Sequence, residues 1–218
     1  HLVVDATGAL TLDGQGPEKR LQELQADRLL HNLQVNAVGP ALLLQQLSPQ
    51  LARGERVIWA KLSARVGSIE DNHKGGWYGY RAAKAALNQL MQTAAIELVR
   101  QRPMAVVACL QPGTVRTALS RPFVGDDALD PALSAQRLLT VLDALQPCAR
   151  AQFVDHLGQH IPRLDVIAFA NLELSEGSGN PRSALCQKFG TDNAGKDAAI
   201  GDLLRRDHQL LAFRLARL

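Results

Sequence analysis

No run of eighteen apolar residues occurs anywhere in these 218 residues, so nothing in the sequence has the character of a membrane-spanning helix. Charge of one sign is equally scarce. The 24 basic residues barely outnumber the 21 acidic ones and are mostly scattered, which gives no argument for nucleic acid as a partner. Cysteine is limited to Cys109, Cys148 and Cys186. An odd count at wide, unpatterned spacing excludes a disulfide framework and a redox pair, and Cys109 reads as a small buried hydrophobe inside a strand. The histidines show no metal spacing except His156 and His160, where the intervening Gly158 argues against a helical zinc pair. No metal is expected. The chain also lacks a strand running into a phosphate-cradling glycine turn, since Gly14 and Gly16 follow no strand-to-helix transition.

What is present fits one globular domain with a substantial core: 46% apolar and 21% charged residues over this length, with the cytoplasm as the expected compartment. Leu2-Val3-Val4 reads as a buried strand rather than a leader, and Asp5-Ala6-Thr7-Gly8 follows it. From Asp27, a reasonable N-cap, apolar residues recur at helical spacing through Leu30, Leu33, Ala37, Ala41, Leu44 and Leu51. Pro40 falls inside that pattern. Its missing N–H leaves the carbonyl of Asn36 without a helical partner, so a kink is expected there.

The sharpest signal is Gly75-Gly76-Trp77-Tyr78-Gly79-Tyr80-Arg81-Ala82-Ala83-Lys84. Tyr80 and Lys84 stand four apart at the start of an apolar-periodic helix, on one face and a turn apart. A free tyrosine is a poor acid or base at neutral pH, and a fixed cation beside it favours the phenolate. The pair therefore reads as a proton-transfer couple. The spacing alone is common by chance; its setting is not. Upstream, Arg56 to Ser63 reads as a buried strand ending in polar residues. Downstream, Met104 to Gln111 reads as a second strand, entering Pro112-Gly113-Thr114-Val115-Arg116-Thr117.

Strand, serine-bearing loop, Tyr-x-x-x-Lys helix, strand and Pro-Gly turn in this order resemble the short-chain dehydrogenase/reductase family. The segment Leu62 to Ile69 and the Gly-Gly-Trp-Tyr run look most like its C-factor and sniffer-type carbonyl reductase branch. The resemblance covers roughly residues 2–162. It implies an α/β fold, the C-terminal part of a doubly wound parallel sheet with about four strands and flanking helices. The first three strands with their glycine-rich turn would then be missing, which implies amino-terminal truncation and poor dinucleotide binding.

The same resemblance implies NAD(P) as cofactor and a small carbonyl or alcohol as substrate. Tyr80 would be the acid/base, Lys84 would bond the nicotinamide ribose, and the backbone carbonyl of Asn36 would hold a relay water. Pro112, Gly113, Val115 and Thr117 would receive the nicotinamide carboxamide. Gly8 is the one residue retained of the usual Asn-Asn-Ala-Gly turn, with Asp5, Ala6 and Thr7 in place of the rest. The serine expected to polarise the carbonyl falls on Ala64, so Ser63, or else Ser68, would have to substitute. Helices at 27–53 and 78–101 would pair across a two-fold axis in a homo-dimer or tetramer.

Beyond a last strand at 151–154 and the turn through Gly158, residues 163–202 read as a polar, glycine-rich linker. Residues 203–218 read as a basic amphipathic helix, more simply docked on its own domain than on a membrane surface. Two functions compete: an NAD(P)-dependent oxidoreductase, and a non-catalytic remnant that acts by association through its helices. Asp5-Ala6-Thr7 and Ala64 favour the remnant; Tyr80, Lys84, Asn36 and Thr117 favour the enzyme.

Overall fold

The computed structural model of the chain describes residues 1–123 and 128–162. The expected linker at 163–202 and helix at 203–218 lie outside the described residues. Four strands form one parallel sheet in the order β1 (Leu2–Asp5), β2 (Val57–Leu62), β3 (Ala105–Gln111) and β4 (Gln152–Asp155). The two inner strands are apolar nearly throughout and buried on both faces, as parallel strands covered by helices must be. Their boundaries match the expected ones to within a residue or two, which is the usual fraying of strand ends.

Helices cover both faces. On one side, α2 (Gly39–Leu47) and α3 (Tyr78–Gln101) form a core with Trp59, Val107, Cys109 and Phe153 of the sheet, where Leu44, Leu87, Met91 and Ala95 are buried together with Ala37 of the segment before α2; α1 (Ala26–Leu33) packs against α3. On the other side, α4 (Pro131–Ala144) sets Leu138, Val141 and Leu142 against Ile58, Ala60, Val106 and Val154. Asp130 caps α4 by accepting from the amides of Ala132 and Leu133, with Pro131 in the first turn. The expected doubly wound α/β architecture is the one observed.

The long helix expected from Asp27 differs in detail. Gln25 occupies the N-cap, and Asp27 lies in the first helical turn, where its charge still suits the helix dipole. Between α1 and α2, residues Gln34–Val38 form a π-helical turn. The cause is local: Pro40 cannot donate to Asn36, and the Gly39 amide reaches back to the Gln34 carbonyl instead, five residues away. The kink predicted at Pro40 is thus a widened turn centred on Asn36. None of the described helices is long and apolar enough to cross a membrane.

Candidate active site

Ligands of open parallel sheets bind beyond the carboxyl ends of the strands, and the sequence-predicted residues collect there. At the end of β1, Gly8 adopts φ +146°, and a Cβ placed on it would lie 3.1 Å from Asn36 Oδ1 and 3.4 Å from Lys84 Nζ. Asn36 is fully buried in the π turn. Its side chain clamps the strand-end turn in both directions, accepting from the Ala9 amide at 3.0 Å and donating to the Ala9 carbonyl at 2.9 Å. Lys84 comes up from α3, donates to the Leu62 carbonyl at 3.3 Å, and sets its ammonium 5.4 Å from the centroid of the Tyr80 ring. Gly8, Asn36, Tyr80 and Lys84 therefore form one cluster. Gly67 makes this packing possible, since a Cβ there would strike the Lys84 backbone at 2.8 Å.

The electrostatics depart from the simplest expectation. Burial pushes the Tyr80 phenol up to about 12, the opposite direction from what a cation beside the hydroxyl would produce. The reason is geometric: Lys84 lies over the ring, and Tyr80 is only 8% exposed. Burial also brings Lys84 down to about 8, and the positive charge of Lys61 adds to that lowering.

Lys61 is the main feature that sequence reading passed over. It pairs in register with Asp5 across β1 and β2; the two side chains are fully buried, with Nζ 2.9 Å from Asp5 Oδ1. Its remaining protons go to the carbonyl and hydroxyl oxygens of Thr7, at 2.6 and 3.0 Å. Burial alone would raise the Asp5 carboxyl, but hydrogen bonds from Thr7 and Lys61 outweigh it and hold the group below its ordinary value. Burial likewise pulls Lys61 down, against the bond to Asp5. One charged residue in each of two apolar strands was the available signal.

The hydroxyls of both candidate serines are engaged within the protein. Ser63 follows the end of β2, as its role would require, yet its hydroxyl donates to Asn88 Oδ1 at 2.7 Å in a buried pair. The Ser68 hydroxyl donates to the Pro162 carbonyl at 2.6 Å. Ala64 stands between them, extended and half-buried.

At the end of β3, Gly113 has φ +83°, and a Cβ there would lie 2.6 Å from Leu129 Cδ1 and 3.0 Å from His156 Cε1. The Pro112 carbonyl accepts from Ser134 of α4, and Val115 bridges to Leu129, so the turn is fixed from both sides. Exposed Thr117 is held through Ser120, which accepts from the Thr117 amide at 3.1 Å. Three rings tie this segment to the cluster: Trp77 packs edge-on against Tyr80 at 6.2 Å and against Phe123 at 5.4 Å. Tyr78, by contrast, faces outward.

Comparison with known proteins identifies the family. The model of a family described as enoyl-(acyl carrier protein) reductase matches residues 3–154. The chain is 35% identical over 130 residues to the C-signal of Myxococcus xanthus, covering 59% of this chain and 74% of that protein. Among solved structures, it resembles the carbonyl reductase Sniffer of D. melanogaster with a TM-score of 0.62 and 26% identity, over 73% of this chain and 65% of that one. A carbonyl reductase from Pseudomonas aeruginosa PAO1 in complex with NADP gives 0.58 and 26%, over 74% and 65%. The chain thus spans just under two thirds of the length of each solved structure. With a Tyr-x-x-x-Lys helix, an asparagine-bearing turn and a Pro-Gly turn placed around the ends of a parallel sheet, and with these matches along most of its described length, the chain belongs to the short-chain dehydrogenase/reductase family.

Proposed function

We propose that this site carries out NAD(P)-dependent reduction of a small carbonyl compound, and the reverse oxidation of an alcohol, in the manner of the C-factor and sniffer-type branch. The observation that carries the reading is the convergence of Gly8, Asn36 and Lys84 on one point beside Tyr80. A nicotinamide end fits the residues present. Gly8 adds no side chain between Asn36 and Lys84 at the end of β1, Lys84 would offer an ammonium for the ribose hydroxyls, and Pro112, Gly113, Val115 and Thr117 would offer backbone and hydroxyl groups for the carboxamide. Among the described residues no strand–glycine turn–helix unit is present to take the pyrophosphate.

When bound, NAD(P)H supplies the hydride. Tyr80 supplies the proton, and a phenol held near 12 is protonated at neutral pH, the state required to quench a developing alkoxide. In this reading Lys84 and a water held by the backbone carbonyl of Asn36 would return a proton to the phenol.

The test is fluorescence titration of the chain with NADH and NADPH, followed by a screen of small aldehydes and ketones with Tyr80→Phe as control. Saturable binding and turnover lost in the variant support the reading. Turnover that survives Tyr80→Phe sinks it.

A second reading, a non-catalytic protein that acts by association through α1, α2 and α3, is favoured by Ala64 and by the engagement of both neighbouring serine hydroxyls. Leu30, Val38, Leu42, Leu90 and Ile96 remain exposed on those helices and the π turn, and would supply the contact.

A further inference from the structure

The helix that carries Tyr80 and Lys84 begins without a cap of its own. Trp77, the residue before α3, adopts a left-handed conformation at φ +55° and makes no capping bond with its side chain. An uncapped helix start leaves buried amides without acceptors, and a non-glycine residue in this conformation is uncommon without outside support. Both needs are met from elsewhere in the chain. Glu18, whose side chain is fully buried, accepts from the Gly79 amide at 3.0 Å through Oε2, while its backbone carbonyl accepts from the Trp77 amide.

The space is shaped for this contact. A Cβ on Gly79 would lie 3.0 Å from Asn32 Nδ2 and 3.2 Å from Glu18 Oε1, so glycine leaves the carboxyl group uncrowded against the helix. Arg28 Nη2, itself donating to the Gly16 carbonyl, stands 3.9 Å from Glu18 Oε1 and offsets its charge. Asn32 closes the cavity from α1 and donates to the Arg28 carbonyl at 3.1 Å. A buried carboxyl group is costly unless such partners are present, which sets Glu18 apart from an ordinary surface acid.

We infer that Glu18 is the positioning residue for Tyr80: its carboxyl group, by capping the helix carrying the phenol, anchors residue 18 at the helix start and so holds its backbone carbonyl on the amide of Trp77, whose ring lies edge-on to the phenol. A residue 61 positions upstream of Gly79 thereby sets the aim of the proton donor, without touching substrate or cofactor. The inference rests on Tyr80 being that donor. Its structural half, the fixing of Trp77, stands independently and is measured independently.

Trp77 is half-exposed whereas Trp59, the other tryptophan, is 1% exposed, so a quencher in solution reads Trp77 alone. Acrylamide quenching and steady-state reduction kinetics are measured on the full chain and on Glu18→Ala, Glu18→Gln and Gly79→Ala. In Glu18→Ala the quenching constant is expected to rise severalfold, and kcat to fall by roughly ten- to a hundredfold with KM for NADPH nearly unchanged. Glu18→Gln keeps an oxygen opposite the Gly79 amide and should restore the quenching and most of kcat. Gly79→Ala, whose methyl group crowds the carboxyl group and Asn32, should shift both readouts in the same direction, and it decides the matter if Glu18→Ala does not fold. Wild-type quenching in Glu18→Ala or in a folded Gly79→Ala overturns the inference, even if kcat falls. If the unaltered chain reduces no carbonyl, the proposed activity fails, and the quenching series still decides whether Glu18 positions Trp77.

Discussion

At the scale of single residues, Lys84 is held at a cost. Burial and the charge of Lys61 lower its proton affinity from the ordinary 10.5 to about 8. Between those values the unfolded chain binds more protons than the folded one, so stability rises with pH across that window and is least below pH 8. Lys84→Met removes the penalty. Thermal denaturation at pH 7 should show a gain of up to about 3 kcal/mol that disappears above pH 10.5, together with loss of the proposed turnover. Ala64 offers the complementary test. If the site is a reductase working without its usual hydroxyl donor, Ala64→Ser supplies one and should raise kcat by roughly a hundredfold, with little change in stability. A flat response would favour the association reading.

At the scale of elements, β1 is a four-residue strand bound to the sheet on one side, and its link to β2 is partly ionic. Removing one member of a buried pair leaves an uncompensated charge, whereas removing both often costs little. Asp5→Asn alone and Lys61→Met alone should each destabilise the chain by about 3–5 kcal/mol in urea denaturation. The double variant should recover most of that loss. Because Asp5 is held below its ordinary carboxyl value, its contribution is present above about pH 4 and falls away as the solution is acidified through the folded value. The sequence shows Asp5 and Lys61 as isolated charges in apolar strands, but gives no register. Pairing them required β1 and β2 to lie side by side and parallel. The π turn stands between these cases: Pro40 announces a break, while the two-way clamp of Asn36 on Ala9 depends on a loop 27 residues away.

At the scale of the whole molecule, exposed apolar side chains are spread over several elements of the described surface. Leu30, Leu42, Leu90 and Ile96 lie on α1, α2 and α3, while Leu2 and Val4 of β1 and Leu139 of α4 are exposed on other elements. Exposed apolar side chains grouped on helices mark contact surfaces more often than free ones. Sedimentation velocity should show a dimer or larger species that Leu42→Lys with Ile96→Lys converts to monomer. A wild-type chain that sediments as a monomer at tens of micromolar would remove the helices as an association surface.

Local pattern alone was enough for the strands, the capped start of α4, and the Tyr80–Lys84 face of α3, because each depends on neighbours within a turn or on an unbroken apolar run along one strand. Tertiary structure decided everything set by residues distant in sequence. It raised the Tyr80 phenol rather than lowering it, since burial and a lysine lying over the ring are properties of packing. It committed the Ser63 and Ser68 hydroxyls to Asn88 and Pro162, joined Asp5 to Lys61, and brought Glu18 to the amide of Gly79. Spacing along the chain identifies which residues share an element; only the packed chain determines what each buried polar atom must bond.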